Sequence, residues 1–452
     1  MNRKSPAKPV RLARLRRHWK WWLTGSLLLV SGLAAIQIWR VTAPPPPLVN
    51  TKNFDPVIAA AIAEARQAVV HWPRSAKARG HMGMVLLAHD VRPEARVCFA
   101  QACAFAPRDP RWPYFLGMAE LVDNPLAAAT NLEQAVRLFP EQELAPRLRL
   151  ADTLLSLGRL EEAEALYRRI WQIDTNCAPA ALGLGKIASA RDRATEAAEF
   201  LGKATTDPCT RKAAHRVLLS VDQRLGRTNE AEQLTRALAE LPNDKPFPDP
   251  LSDQIEQLKT GEKVWIDRGD DLIKAGRVAE AETLLEKAVQ TYPYSDRALF
   301  FLGRAKLRRG DSAGAEAMLA RAVALAPDSV EAQMQLGVVR LTRGRPQQAQ
   351  PCFRAAIRAK PNLPEAWYNL GLTLGKDVNR AECIAAFREA IRLKPNLFEA
   401  YLGLSVVLQA DGQDQAAIGE LCRALDLQPE EPLRQKLSTE LTQIRQGKKP
   451  GH

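Results

Sequence analysis

The sequence contains few of the groups from which catalytic and metal sites are built. Its 452 residues include six histidines and seven cysteines, and the histidines are scattered along the chain. There is no Cys-x-x-Cys pair, no Gly-x-Ser-x-Gly, no His-Glu-x-x-His and no glycine-rich phosphate-binding loop. We therefore expect that the protein is not an enzyme, and that it holds no metal, no cofactor and no small-molecule substrate.

Strand patterns and N-terminal acidic residues are also missing. Alanine and leucine are abundant and no strand signal stands out, which predicts an all-α fold. Residues 1–40 contain nine Lys or Arg and no Asp or Glu, whereas the other 412 residues carry 55 basic and 51 acidic side chains. The net charge of +13 therefore comes largely from the N-terminus, and we expect no nucleic-acid binding by the rest of the chain.

The N-terminus has the pattern of a membrane anchor. A basic tail, residues 1–20, precedes an uncharged stretch from Trp21 to Trp39, which as a helix would span about 28 Å. Tryptophans stand at both ends of the stretch, and the positive flank is expected in the cytoplasm. We predict a single transmembrane helix, residues 21–39, in the inner (plasma) membrane, with the chain after Arg40 on the periplasmic or outer side. A cleaved signal peptide is the alternative.

Four consecutive prolines, Pro44 to Pro47, follow this stretch. Such a run favours an extended polyproline II rod. We interpret residues 40–54 as a proline-rich linker that holds the following domain away from the bilayer. A proline-rich ligand site is the alternative.

The remainder of the chain repeats with a period of 34 residues. Proline marks the period five times, and alanine stands five residues before each proline. The prolines are Pro293, Pro327, Pro361, Pro395 and Pro429. A fixed period of this length indicates stacked helix-turn-helix units rather than one globular core.

The best-preserved unit shows what each position does. It carries Trp367, Leu370, Gly371, Leu374, Cys383, Phe387, Ala390 and Pro395. Counted from the first residue of each unit, small residues at positions 8 and 20 allow two helices to approach closely, and alanine at position 27 allows the next unit to dock. The pattern resembles the tetratricopeptide repeat. The resemblance implies an all-α, right-handed superhelical solenoid, here preceded by the single transmembrane helix.

Weaker copies extend the pattern towards the N-terminus and bring the number of repeats to ten, in two groups of five. We predict an N-terminal solenoid over residues 55–241, which begins with an extra helix, and a C-terminal solenoid over 262–431. Residues 432–452 are predicted as a capping helix and tail. Residues 242–261 contain four prolines within nine residues, which we interpret as a seam in the superhelix with a short helix from Ser252. A flexible linker is the alternative.

In tetratricopeptide repeats the first helices line a concave groove, with positions 2, 5, 6, 9, 12 and 13 facing inward. The resemblance places the following residues of the C-terminal group there: Lys274, Arg297, Phe300, Phe301, Arg304, Arg308, Met334, Tyr368, Asn369 and Leu372. Three of them, Arg297, Arg304 and Arg308, share one helix face because they are seven and four residues apart. We hypothesise that the groove holds a protein or peptide bearing acidic groups. A solvated basic face with core aromatic residues is the alternative.

The cysteines are predicted to be mostly buried free thiols that act as small apolar residues. Cys177 and Cys209, at neighbouring turns between repeats, leave a disulfide open as an alternative. As a whole, the sequence predicts a membrane-anchored scaffold that assembles other proteins at the cell envelope. Two other functions stay open. One is an accessory subunit of an envelope biogenesis or export system (cytochrome c maturation, polysaccharide or pilus assembly), which differs from the scaffold only in its partner. The other is a chain that selects substrates for a separate enzyme.

Overall fold

The structure, a computed structural model, describes residues 42–375 and 379–447. It divides between Lys259 and Thr260, and the two parts are called the N-terminal unit and the C-terminal unit below. Within the described residues the regular secondary structure consists of 23 α-helices. The predicted transmembrane helix, residues 21–39, and the basic tail before it lie outside the described residues. No helix in the described part of the chain is long and apolar enough to cross a membrane.

The N-terminal unit consists of a leading helix, five helix pairs and one short final helix. The leading helix is α1 (Pro56–His71) and the final one is α12 (Pro250–Leu258). The pairs are α2 (Ala76–Ala88) with α3 (Arg92–Phe105), α4 (Arg111–Glu120) with α5 (Pro125–Leu138), α6 (Leu144–Ser156) with α7 (Leu160–Ile173), α8 (Ala178–Ala190) with α9 (Ala194–Ala204), and α10 (Arg211–Arg224) with α11 (Thr228–Glu240).

The C-terminal unit consists of five helix pairs and a terminal helix. The pairs are α13 (Glu262–Lys274) with α14 (Val278–Thr291), α15 (Asp296–Arg308) with α16 (Ser312–Leu325), α17 (Val330–Thr342) with α18 (Pro346–Ala359), α19 (Pro364–Leu374) with α20 (Arg380–Leu393), and α21 (Phe398–Ala410) with α22 (Asp414–Asp426). The terminal helix is α23 (Leu433–Arg445).

Seven of the ten pairs are held together by a glycine of the first helix packed against a large residue of the second. A Cβ atom at Gly303 would lie 2.7 Å from the side chain of Leu319, and one at Gly371 would lie 2.8 Å from Phe387. These distances are too short for an ordinary contact, so the large residue occupies the space that a side chain would need. The small residues at position 8 are therefore required by packing.

The turn inside most pairs uses the left-handed backbone region. Gly276 at position 15 has φ of 76°, a conformation that glycine adopts without steric cost. In the first and fourth repeats, which lack this glycine, Asp90 and Asp192 take the same position with φ of 62° and 54°. Aspartate is among the few other residues that tolerate this region. In these two repeats the turn geometry is thus kept although the sequence signature is lost.

Position 27 is closed to larger side chains. Ala356 is fully buried between helices of the C-terminal unit. We expect Ala356→Phe to destabilise this unit by about 1–3 kcal/mol, because the extra ring must displace close-packed neighbours. Thermal unfolding followed by circular dichroism tests this, with Ala359→Phe at the exposed end of the same helix as the control. Equal melting of the two variants would contradict the assignment of positions.

The proline-rich linker contacts the N-terminal unit along part of its length. The buried guanidinium of Arg79 donates to the carbonyl of Pro44 at 2.5 Å and to that of Pro73 at 2.6 Å. Val49 and Phe54 pack against the core of the same unit. The linker therefore contacts this unit at Pro44, Val49 and Phe54.

All seven cysteines lie within the described residues, and all are free thiols. Four of them are buried, and burial raises the pKa of the Cys383 thiol to about 11. A thiol with so high a pKa is a poor nucleophile at neutral pH. Cys177 and Cys209 are not paired with each other.

Candidate peptide-binding grooves

The residues predicted to line the groove of the C-terminal unit lie on the first helices of four consecutive pairs. Lys274 is the last residue of α13, and Met334 lies on α17. Helix α15 carries Arg297, Phe300, Phe301, Arg304 and Arg308, and helix α19 carries Tyr368, Asn369 and Leu372. Because consecutive first helices are neighbours in the stack, the order of these residues along the chain is their order along the groove.

The basic face of α15 is partly neutralised by acidic residues of α13. Arg304 pairs with Asp270 at 2.8 Å, and Arg297 lies 3.7 Å from Asp267. Lys274 also pairs with Asp270, at 2.7 Å. Burial opposes ionisation of Asp270, but the hydrogen bond from Lys274 and the charge of Arg304 outweigh it and hold the pKa of Asp270 below its ordinary value. An acidic ligand would have to compete with these carboxylates.

Arg308 differs from the other two arginines of this face. It is exposed, and it makes no ion pair with any residue that the structure describes. Arg304, in contrast, lies against the rings of Phe300 and Phe301, with its guanidinium carbon 5.8 Å and 5.2 Å from the two centroids. Arg308 is thus the cation of α15 that is available to a ligand without breaking an existing pair.

Further along the groove, α19 and α21 border an open, mostly apolar cavity of about 430 Å³. Tyr368 and Leu372 form one side, and Leu402 and Val406 of α21 form the other. Leu372 is 40% exposed, so its side chain is accessible from the cavity. The cavity is a place where an apolar side chain of a partner would be removed from water.

The prediction therefore identified only part of this groove. It omitted Asp267 and Asp270 on α13 and Glu399, Leu402 and Val406 on α21, all of which are at inward-facing positions of their repeats. The same positional rule, applied to the first and last repeats of the group, would have found all five. Asn369 forms no side-chain hydrogen bond with the residues that the structure describes.

The groove of the N-terminal unit already holds a segment of the chain. Residues 243–258, called the strap below, follow the last helix pair of this unit. The carboxylate of Asp244 accepts hydrogen bonds from the backbone N–H groups of Lys212 (2.7 Å) and Ala213 (2.8 Å) at the start of α10. The other end of the strap, α12, packs against α2. The strap therefore crosses the unit from its fifth helix pair to its first, against the order of the repeats.

Asp249 is the polar centre of the strap. Its side chain is only 3% exposed and lies 3.4 Å from Nε of Arg149. It also accepts hydrogen bonds from the hydroxyls of Tyr114 and Ser252, the latter at 2.6 Å. Burial opposes ionisation, but these donors together with the charge of Arg149 lower the pKa of Asp249 below its ordinary value. The carboxylate is therefore ionised, and its partners are arranged for a negative charge.

The apolar side chains of the strap face the first helices of the unit. Phe247, Leu251 and Leu258 pack against the core, and Ile255 is buried. Phe247 also borders a cavity of about 600 Å³ whose other residues on α6 and α8 include Leu148, Leu155, Pro179, Leu182 and Lys186. The strap thus covers part of the groove and leaves an open space beside it.

Family models for the tetratricopeptide repeat match three segments of the chain, residues 123–187, 272–337 and 334–396. These segments, one in the N-terminal unit and two in the C-terminal unit, carry tetratricopeptide repeats. The presence of such repeats, which the sequence predicted, is thereby confirmed.

Several solved structures are similar to part of the chain. YrrB, a TPR protein with an unusual peptide-binding site, is 19% identical over 42% of this chain and 98% of its own, with a TM-score of 0.38. A structure of MamA is 23% identical over 39% of this chain and 94% of its own (TM-score 0.35). MamA from Desulfovibrio magneticus RS-1 is 21% identical over 38% and 97% (TM-score 0.36). A comparison with curated proteins finds no match.

The two tetratricopeptide units thus differ in what their grooves contain. In the N-terminal unit the key residues are Tyr114 and Arg149, which both stand at position 6 of their repeats. The sequence analysis missed them because it applied the inward-facing positions to the C-terminal group alone. Among the described residues, no cluster of histidine, cysteine, aspartate and glutamate could hold a metal ion.

Proposed function

We propose that the protein is a membrane-anchored scaffold of the cell envelope that holds a partner peptide in the groove of its C-terminal unit. The observation that carries this proposal is the apolar cavity between α19 and α21, whose described lining residues all belong to the repeats. Tetratricopeptide repeats act in general through protein–protein contacts, and an exposed leucine beside a half-buried tyrosine gives such a contact an apolar centre.

The groove is suited to a peptide with two different ends. An apolar side chain would enter the cavity at Tyr368 and Leu372, and burying a side chain of the size of leucine contributes about 2 kcal/mol. An acidic group would bind two repeats earlier in the stack, on α15, where Arg308 is exposed. Glu399 at the edge of the cavity disfavours a second acidic group there. The proposed ligand is therefore apolar at one end and acidic at the other.

Partner capture in cells tests the groove. A photo-crosslinking residue at Leu372 is expected to join one dominant protein. The same residue at Leu325, an equally exposed leucine on α16, is expected to join little of that protein.

Arg308→Glu should reduce the amount of cross-linked product several-fold, because it replaces attraction of an acidic ligand by repulsion. Arg358→Glu, at an exposed position of the second helix α18, should leave the amount unchanged. Equal labelling from Leu372 and Leu325 would reject the groove.

The anchor is proposed from the uncharged stretch between Trp21 and Trp39. Because Pro44 is bound by Arg79, at most about 17 Å of extended chain separates Trp39 from the N-terminal unit. The proposal therefore places this unit close to the membrane surface.

Membrane fractionation of the full-length chain tests the anchor. Leu28→Arg combined with Val30→Arg puts two charges in the middle of the stretch, at a cost of about 2.5–3.5 kcal/mol each. We expect this variant to move from the alkali-resistant membrane fraction to the soluble fraction, and a Leu28→Ile, Val30→Leu variant to stay in the membrane. An unaltered distribution of the arginine variant would reject a transmembrane anchor.

A further inference from the structure

The strap lies in the groove of the N-terminal unit. In the described part of the C-terminal unit, no segment of the chain lies in the corresponding groove. Asp249 of the strap accepts a hydrogen bond from Tyr114 on α4 and pairs with Arg149 on α6, both at inward-facing positions. Phe247 lies beside inward-facing residues of α6 and α8. These are the positions at which tetratricopeptide units present side chains to a ligand. The strap is therefore bound as a ligand would be, although it belongs to the same chain.

The chemistry of the bound segment is specific. An aromatic side chain at Phe247 is followed two residues later by a buried carboxylate at Asp249, and Asp249 also caps the N-terminus of α12 through the N–H groups of Leu251 (3.1 Å) and Ser252 (3.2 Å). The receiving groups, a phenol and a guanidinium, both donate hydrogen bonds, and the charge of the guanidinium favours a carboxylate over a neutral acceptor. The groove thus recognises an aromatic residue, a carboxylate two residues on, and the helix that begins there.

Two features indicate that the strap is replaceable. Helix α12 has nine residues and one buried side chain, Ile255, and so short a helix is marginal by itself. The open cavity of about 600 Å³ beside Phe247 gives an incoming segment a place to bind before the strap leaves. Attachment to the unit also gives the strap a high effective concentration, so its own contacts need not be strong to keep it in place.

We propose that the groove of the N-terminal unit is a second peptide-binding site, whose ligand is a partner segment with an aromatic residue, an aspartate or glutamate two residues later, and a helix that starts there. The strap is the resident occupant of this site, and the partner segment replaces it. This inference does not depend on the proposed function of the C-terminal groove.

Binding of a synthetic strap peptide to the full-length protein tests the proposal. The probe is a fluorescent peptide with the sequence of residues 243–259, and anisotropy is the readout. A Phe247→Ala, Asp249→Ala variant of the protein, in which the resident strap is weakened, is expected to bind the peptide at least tenfold more tightly than the wild-type protein. Asp253→Ala, which removes an exposed carboxylate from the same strap, is expected to bind it as the wild type does.

Changes to the peptide provide the control that does not depend on folding of a variant. Peptides carrying Phe247→Ala or Asp249→Ala should bind the strap-weakened protein at least tenfold more weakly than the unchanged peptide. Adding Arg149→Glu to that protein should have a similar effect on the unchanged peptide.

If the weakened protein binds the peptide no better than the wild type, or binds the altered peptides equally well, the proposal is wrong. A concentration-dependent wild-type dimer that Phe247→Ala with Asp249→Ala abolishes would also overturn it, since a second copy would then supply the strap.

Discussion

Replacing Gly80 by alanine is expected to lower the free energy of unfolding of the N-terminal unit by about 2–3 kcal/mol. A Cβ atom at Gly80 would lie 2.0 Å from the ring of Trp112, so the indole must move. Trp112 is only 2% exposed and packs near Phe115, with ring centroids 6.4 Å apart, which leaves it little space. The cost of overpacking therefore exceeds the gain of about 1 kcal/mol that alanine brings to a helix interior.

Gly202→Ala is the matched control for this substitution. Gly202 lies in α9 of the same unit, and nothing stands within 4 Å of the Cβ position. This variant should therefore be as stable as the wild type or more stable, by up to about 1 kcal/mol. Chemical denaturation of the full-length chain measures both variants. If Gly80→Ala were as stable as Gly202→Ala, the tight contact between α2 and Trp112 would not exist in solution.

Arg149→Glu is expected to release the strap from the N-terminal unit. The substitution removes the cation that faces Asp249 and places a second carboxylate against one that is 3% exposed. The side chain of Arg149 is 37% exposed, so water screens part of the repulsion. We still expect amide hydrogen exchange in residues 243–258 to accelerate at least tenfold, which corresponds to about 1.4 kcal/mol. Hydrogen exchange with mass spectrometry of the full-length protein measures this.

Two further variants distinguish a local electrostatic effect from general damage. Arg216→Glu reverses the charge of an exposed arginine on α10 and should leave exchange in the strap unchanged. Adding Asp249→Asn to Arg149→Glu should restore part of the protection, because the buried negative charge is removed while the cap of α12 keeps an oxygen acceptor. Exchange in the strap that is as slow in Arg149→Glu as in the wild type would show that Asp249 does not hold it.

The repeats could be predicted because their signature is made by local packing rules. Gly303 and Gly371 must be small for their helices to meet Leu319 and Phe387, and any sequence with this spacing has the same requirement. Even where the signature was lost, as at Asp90 and Asp192, the left-handed turn required by the neighbouring repeats was kept. Neighbour contacts of this kind are visible in the sequence.

The strap could not be predicted in the same way. Its place depends on contacts between residues far apart in the chain, such as Asp249 with Tyr114, and no period connects such pairs. The pairing of Arg304 with Asp270 was missed for a different reason. These two residues are 34 apart, which is one full repeat, so their pairing could have been predicted from the period. The prediction compared the arginines only with each other on α15 and did not consider the acidic residues of α13.

The path of the strap has a consequence for how the N-terminal unit folds and unfolds. In a stack of repeats each pair touches only its neighbours, so ends can fray and folding can begin anywhere. A segment that joins the start of α10 to α2 connects the last pair of the unit to the first. Opening either end then breaks contacts at the other, and the unit should melt as one cooperative block. The same long-range closure raises its contact order, so it should fold more slowly than a linear array of five pairs.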